Sequence, residues 1–230
     1  MPATVGIVVF PGSNCEHDVA EAVTRLGATA RLVFHKASLG DVDAVVLPGG
    51  FAHGDALRPG AIARFSPVMG AVERFAAEGG PVVGICNGFQ VLCEAGLLPG
   101  ALQKNRGLAF LCQEVELVTV SERSSLTAGV PPGTRLRVPI NHFEGCYTAA
   151  GEVLAALEER DQIVVRYLDN PNGSAGDIAG VSNEAGNVVG LMPHPERASH
   201  ELLGSEDGNV LLTALLTSAG RPAPLLESAG

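Results

Sequence analysis

The sequence is short of positive charge. It carries 15 lysines and arginines against 25 aspartates and glutamates, a formal net charge of -10 at pH 7. An acidic surface of this kind disfavours a nucleic-acid backbone or an anionic membrane as the main partner. No apolar run approaches the roughly 18 residues that a membrane-spanning helix needs. The apolar start, "MPATVGIVVFPG", is short, lacks a basic lead and ends in a turn, so it reads as a first strand rather than a secretory signal. A cytoplasmic protein is expected. No C-x-x-C or H-x-x-x-H pair occurs, and the five cysteines are odd in number and widely spread. That excludes a disulfide framework and leaves zinc without support. Glu16-His17-Asp18 beside Cys15 is the one ligand-rich cluster, but acids are expected there in the first turn of a helix. No bound metal is expected. The phosphate-binding pattern G-x-x-x-x-G-K-[ST] is also missing, and cations are not clustered. The chain is therefore not expected to activate a substrate with a nucleoside triphosphate by itself.

What is present is a globular composition. The 230 residues are 46% hydrophobic and 17% charged, enough for one substantial domain with its own core. "VGIVVF" (5–10) is a buried-type strand. The turn "PGSN" follows, where Ser13 or Asn14 is expected to cap a helix running to about Leu26 and ended by Gly27. "TARLVF" (29–34), "AVVLPGG" (44–50) and "PVVGI" (81–85) are further strands. Between the last two, Ser66-Pro67 starts a helix that stops at Gly79-Gly80, and another helix is expected from about Gly88 to Ala95. Apolar strands alternating with helices imply a parallel sheet covered on both faces, with ligands at the carboxyl ends of the strands. The second half differs. "CQEVELVTV" (112–120) and "RLRVPI" (135–140) alternate as half-exposed strands do. "IVVRYL" (163–168), "IAGVS" (178–182) and "NVVGLM" (187–192) follow, the last two separated by a hairpin-like Glu184-Ala185-Gly186. The second half thus adds mixed or antiparallel strands. "DGNVLLTALLTS" (207–218) closes the chain as an amphipathic helix, and the Pro/Ala-rich end (219–230) is expected to fray. One α/β domain over 1–230 is the organisation implied.

One corner of this pattern carries chemistry. Gly84-Ile85-Cys86-Asn87-Gly88 is G-x-C-x-G, the cysteine version of the nucleophile elbow. A sharp strand-to-helix turn lifts the sulfur out of the sheet, and flanking glycines avoid clashes. The helix N-terminus favours thiolate, and the N–H of Asn87 can donate to an oxyanion. The plainer alternative is a small buried hydrophobe in a βα turn. A nucleophile needs a base, and the base an orienting group. Of six histidines, His17 reads as solvated, and His35 and His200 lie in polar, loop-like contexts. His53 sits on a glycine loop that can line a pocket, and His142 ends a strand. His194 follows the last strand between two prolines, with Glu196 two residues on. Proline pushes its predecessor toward extended geometry, in which residues i and i+2 face the same way. His194 and Glu196 are therefore expected to address one site together with Cys86. The alternative is a proline-rich turn carrying a surface Glu196–Arg197 pair.

G-I-C-N-G-F-Q followed by P-H-P-E resembles the class I (triad) glutamine amidotransferases. The resemblance covers nearly the whole chain, and "FPGSNCEHD" (10–18), "LPGGFAHGDALRPGAIA" (47–63) and "RYLDNPNGS" (166–174) narrow it to the glutaminase subunits of phosphoribosylformylglycinamidine synthase. It implies a flavodoxin-like α/β fold, Cys86 as nucleophile, His194 as base and acid, and Glu196 as the orienting carboxylate. It also implies an oxyanion hole from the backbone N–H groups of Gly50 and Asn87. Gln90 would contact the α-amino or carboxylate end of glutamine, and Phe51, Asn141, His142 and Phe143 would wall the pocket. The family pattern A-H-G-E-G reads N-H-F-E-G here (141–145), so main-chain contacts at Phe143 are not carried over. The resemblance further implies glutamine as substrate and a large synthetase subunit that binds ATP, magnesium and formylglycinamide ribonucleotide. A small third subunit would complete the assembly, with no cofactor in this chain. "DNPNGS" is either plain turn chemistry or part of the synthetase interface. Two rivals stand beside this reading: a PfpI-like cysteine hydrolase of related fold, and a non-catalytic scaffold subunit with a vestigial triad.

Overall fold

The first strand has no polar break, and Val5, Ile7 and Val8 are fully buried. A strand of that kind needs cover on both faces. The computed structural model describes residues 2–220. In chain order they form β1 (Thr4–Val9), α1 (Glu16–Arg25), β2 (Thr29–Phe34), β3 (Ala44–Leu47), α2 (Pro67–Ala77), β4 (Val82–Ile85) and α3 (Asn87–Glu94). Then come β5 (Ala101–Gln103), β6 (Leu111–Thr119), β7 (Arg135–His142), β8 (Cys146–Thr148), α4 (Gly151–Glu159), β9 (Ile163–Tyr167), β10 (Ile178–Ser182), β11 (Val188–Leu191) and α5 (Gly208–Ala219). Short 3-10 turns link several of them.

Nine strands make one sheet in the order β2-β1-β3-β4-β11-β10-β9-β6-β7, and β5 pairs with β8 in a separate two-stranded sheet. From β2 across to β11 every pairing is parallel. From β11 across to β7 every pairing is antiparallel. The described residues therefore form a single α/β domain, a parallel core extended by antiparallel strands from the second half. No helix among them is long and apolar enough to cross a membrane.

Several expectations shift. β11 is not one of the added strands; it lies beside β4 in the parallel core, with Leu191 opposite Ile85. Pattern alone cannot place it, because a buried strand reads the same wherever it inserts. Neither Ser13 nor Asn14 caps α1, which follows Cys15 without a side-chain cap. Ser13 instead accepts from the Phe10 N–H at 3.0 Å. Its loop is stitched to the end of β3, where Asn14 and Cys15 N–H both donate to Gly49 O, at 3.3 and 3.2 Å. The third strand stops at Leu47, because Pro48, Gly49 and Gly50 turn away into that loop. α4, β5 and β8 carry little sequence signal: in α4 only Leu157 is buried, and the two strands are three residues each. The expected frayed end falls, beyond Gly220, outside the described residues, and Ala219 itself closes α5.

Candidate active site

β4 ends at Ile85 and α3 begins at Asn87, so the chain reverses in one residue. That residue is Cys86, at φ 50 and ψ -105. A side chain held there costs about 1–3 kcal/mol and persists only where packing over-determines it. The flanking glycines show how. A methyl at Gly84 would meet the Gly88 carbonyl at 2.6 Å, and one at Gly88 would run into the Leu47 carbonyl. α3 can approach β3 and β4 this closely only without side chains at these two points. Cys86 is buried, and its thiol donates toward Asn141 O at 3.7 Å.

β11 brings the partner groups. Its parallel pairing with β4 continues past the strand end, where Cys86 N–H donates to Leu191 O at 2.8 Å. The two segments leave the sheet side by side, and His194 N–H is held by Pro139 O of β7 at 2.9 Å. His194 Nδ1 and Glu196 Oε1 are 2.6 Å apart, with both residues 1% exposed. They do not meet as i and i+2 of an extended segment. Pro195–Arg197 is a 3-10 turn that folds Glu196 back onto the ring. Burial pulls the His194 pKa down, but the charge of Glu196 and the neighbouring Cys86 and Cys15 outweigh it, leaving it well above the ordinary value. With Nδ1–H given to Glu196, His194 Nε2 is buried and has no hydrogen-bond partner among the described residues.

The two backbone donors sit at the same corner. Asn87 N–H is in the first turn of α3, where no intrahelical acceptor exists. Gly50 is at φ 145, a conformation L side chains rarely adopt, and a side chain there would also meet Asn14 N and Gly12 O at 2.8 Å. The hydrogen bonds of the Ser13–Gly50 bridge run from Asn14 N to Gly49 O and from Phe51 N to Gly12 O, leaving Gly50 N–H out of that pairing. The side chain of Asn87 ties the surroundings together. Its Oδ1 accepts from Ala52 N–H at 3.0 Å, and its Nδ2 donates to Asp55 Oδ1 at 3.1 Å and Gln90 Oε1 at 2.9 Å. Gln90 Nε2 in turn donates to Glu144 O at 2.6 Å.

Cys86, His194, Gly50, Phe51, Gln90, Asn141, His142 and Phe143 all line one cleft of about 70 Å³. That is far below the roughly 300 Å³ at which drug-sized pockets begin, and it suits a side-chain carboxamide. Glu196 and Asn87 stand behind the lining. Phe143 fills the place where glycine was expected, with Lys104 Nζ 5.9 Å from its ring centroid. His142 Nδ1 is paired with Asn105 Oδ1 at 3.1 Å, and burial followed by the charge of His194 pushes its pKa down to about 4. His53 does not line the cleft; it packs edge-on against His35, centroids 5.3 Å apart. His35 lies in the turn after β2, as its loop-like context implied, but it is buried, bonded to Ser66 Oγ at 3.1 Å. "DNPNGS" turns inward: Asn172 Nδ2 donates to Gly145 O at 2.8 Å, and Ser174 Oγ accepts from Tyr147 N–H at 3.0 Å. These internal bonds are turn chemistry.

Sequence reasoning missed Asn14, Cys15, Asp55, Glu144 and Arg197, which line the same cleft. Nothing near Cys15 in the sequence offers it an acid–base partner, yet its sulfur shares a space within 4.8 Å with ligand atoms of His194 and Glu196. Glu16 and Asp18 stand in the first turn of α1, as expected of acids there. Arg197 opposes a cation at the cysteine, since its Nη2 donates to Cys15 Sγ at 3.2 Å while its Nε donates to Asp18 Oδ2 at 3.1 Å. The only sequence signals for these residues were their neighbours: Asp55 ends the "GGFAHGD" loop, and Arg197 ends "PHPER".

Residues 2–206 match the family described as the CobB/CobQ-like glutamine amidotransferase domain. Phosphoribosylformylglycinamidine synthase subunit PurQ of Rubrobacter xylanophilus is 58% identical over 216 residues, 94% of this chain and 98% of that protein. The subunit of the same name in Salinibacter ruber is 51% identical over 227 residues, 94% of this chain and 97% of that protein. Among solved structures, PurLQS from Thermotoga maritima contains a chain that superposes with a TM-score of 0.88 at 40% identity, covering 94% of this chain and 99% of that one. A glutamine amidotransferase from Thermotoga maritima, 18% identical with a TM-score of 0.56, shares the fold. The elbow cysteine, the buried histidine–glutamate pair and these full-length likenesses agree: the chain belongs to the CobB/CobQ-like glutamine amidotransferases, in the family of phosphoribosylformylglycinamidine synthase PurQ subunits.

Proposed function

We propose that this chain is the glutaminase subunit of phosphoribosylformylglycinamidine synthase, hydrolysing L-glutamine and passing ammonia to a synthetase subunit in purine biosynthesis. One observation carries the reading: Cys86, strained on its elbow, lines the same small cleft as His194, whose ring is locked to Glu196. Cys86 Sγ gives its proton to His194 Nε2 and attacks the carboxamide carbon. The tetrahedral oxyanion forms against the N–H groups of Gly50 and Asn87. His194 returns the proton to the leaving nitrogen, the C–N bond breaks, and ammonia departs. Water, deprotonated by His194, then hydrolyses the γ-glutamyl thioester to glutamate and restores the thiol. Phe51, Gln90, Asn141, His142 and Phe143 wall the glutamine.

The whole chain, 1–230, acts as one glutamine amidotransferase domain, without a cofactor of its own. A large synthetase subunit binds ATP, magnesium and formylglycinamide ribonucleotide, and a small subunit completes a cytoplasmic complex. The isolated chain is a poor glutaminase whose oxyanion hole is completed by docking. The test is glutamine hydrolysis by the purified chain, alone and with the synthetase, small subunit, nucleotide and acceptor, beside Cys86→Ala. Activity that rises at least tenfold on assembly and vanishes in Cys86→Ala is expected. No hydrolysis in any mixture would put the scaffold reading in its place.

A further inference from the structure

Cys15 is a buried nucleophilic group that the reaction above does not use. It is 2% exposed and lines the same cleft as Cys86. Its backbone is fixed on both sides. The N–H donates to Gly49 O at 3.2 Å, and the carbonyl accepts from Val19 N–H at 3.0 Å, the first helical bond of α1. Its sulfur is fixed as well. The thiol donates toward Asn14 Oδ1 at 3.4 Å, and the sulfur accepts from Arg197 Nη2 at 3.2 Å. Arg197 is held in turn, because its Nε donates to Asp18 Oδ2 at 3.1 Å and its backbone N–H to His194 O at 3.1 Å.

What this sulfur borders is the catalytic base. Cys15 Sγ, a ring nitrogen of His194 and a carboxylate oxygen of Glu196 all lie within 4.8 Å of one another. Gly49, just past β3, locates the contact. A methyl there would meet His194 Cε1 at 2.7 Å and Cys15 Sγ at 3.0 Å. The carbon between the two ring nitrogens and the sulfur therefore flank one narrow gap that exists because position 49 has no side chain. Glu196 holds the ring only at Nδ1. The outer torsion of histidine is broad, so a ring pinned at one nitrogen can still swing about that bond. A contact at Cε1 removes the swing. The charges around the ring allow it to become a cation. Burial pulls the His194 pKa down, Glu196 and Cys86 push it up, and Cys15 adds in the same direction. His142, facing the ring from the end of β7, is neutral above about pH 4 and adds no charge. Asp18 on α1 offsets Arg197.

We propose that Cys15 is a positioning residue for glutamine hydrolysis: its sulfur, clamped by Arg197, closes the Cε1 edge of His194 and holds the ring between Glu196 and Cys86. This rests on the glutaminase reading above and adds a second sulfur, which makes no bond to the substrate. When the Cys86 proton passes to His194 Nε2, the charge of the ring spreads over both nitrogens and Cε1. The Cys15 sulfur then borders a carbon that has become more positive, so the contact strengthens as the reaction proceeds. Because Asp18 offsets the guanidinium, the clamp does not oppose that cation.

The experiment compares Cys15→Ala with Cys15→Ser. The two leave nearly the same gap and differ in the acceptor offered to Arg197 and His194, so the comparison separates polarity from packing. In the assembled complex, Cys15→Ala should lower kcat for glutamine about 10- to 100-fold, with KM within about threefold of wild type. The limb of the pH–rate profile set by His194 should move to lower pH by about half a unit or more. Cys15→Ser should bring kcat back to within about fivefold of wild type and return most of the pH shift. Synthesis driven by added ammonia, which bypasses this chain, should be unchanged in both and reports intact assembly. NMR of the Cε1–H resonance of His194 in the Cys86→Ala chain, with and without Cys15→Ala, reads the ring without turnover. His194 should titrate lower when Cys15 is replaced. A profile and titration unchanged in Cys15→Ala, or Cys15→Ser indistinguishable from Cys15→Ala, would overturn the proposal and leave Cys15 as packing. If the titration moves as expected but the wild-type complex hydrolyses no glutamine, it is the glutaminase reading that falls.

Discussion

Glu196 shows how one residue acts through another. It lies behind His194, and its contribution is the 2.6 Å contact that keeps the proton on Nδ1 and presents Nε2 to the thiol. Glu196→Gln preserves the volume but removes the charge that offsets burial of an imidazolium. We expect kcat for glutamine hydrolysis to fall on the order of 100- to 10,000-fold with KM little changed, as when a triad carboxylate loses its charge. Steady-state kinetics on the assembled complex checks this; a loss confined to KM would mean that Glu196 serves binding instead. At this scale the sequence was legible where chemistry is local. The glycines around Cys86 announced its turn, and their carbonyl contacts explain why no other residue fits. Asp55, Glu144, Cys15 and Arg197 were not legible, because each gains its meaning from a loop elsewhere in the chain. The geometry of Glu196 was also misjudged: proline limits the residue before it, but the 3-10 turn after His194 depends on what packs around it.

Among elements, β11 has the largest consequences. It is the last strand among the described residues and the middle one of the nine-stranded sheet, and it carries His194 to the end of β4. Its start is secured by Asn187, buried at 5% exposure, whose Nδ2 donates to Ala76 O at 2.8 Å and Gly80 O at 2.9 Å at the end of α2. Asn187→Ala leaves the Gly80 carbonyl without its donor, strips one of the two donors from Ala76 O, which keeps Gly79 N–H at 3.0 Å, and opens a small void. The expected loss is about 2–3 kcal/mol, or a fall in Tm of roughly 5–10 °C in a domain of this size. The catalytic corner lies at the opposite end of the strand, so kcat at low temperature should be preserved. Thermal denaturation together with kinetics separates the two effects, and an unchanged Tm would show that the bonds are replaced by water.

For the molecule as a whole, acid is the informative perturbation. His142 is neutral in the fold down to about pH 4, whereas an unfolded chain protonates it near 6.5. Between those values the unfolded state binds more protons, so stability rises with pH and is lost as pH falls from about 6.5 toward 4. The loss should be on the order of 2–3 kcal/mol by pH 4. Asp55, raised to about 6, runs the other way over an overlapping window, since the fold favours its protonated form. Urea unfolding across this range should show a shallower acid decline in His142→Gln and a steeper one in Asp55→Asn. Identical pH profiles in His142→Gln and wild type would remove His142 as the cause.

The sequence by itself determined which segments are strands and helices in the first half, because apolar runs and glycine punctuation are local signals. It determined the nucleophile's corner for the same reason, and it carried the family in its motifs. Tertiary structure alone decided that β11 inserts beside β4, since hydrogen-bond pairing leaves no trace in a uniformly apolar strand. It also decided that α4 forms with one buried side chain, and that acids from two loops share a cleft with the thiol. Those outcomes depend on which surfaces meet once the sheet closes, a property of packing between distant segments that no local pattern records.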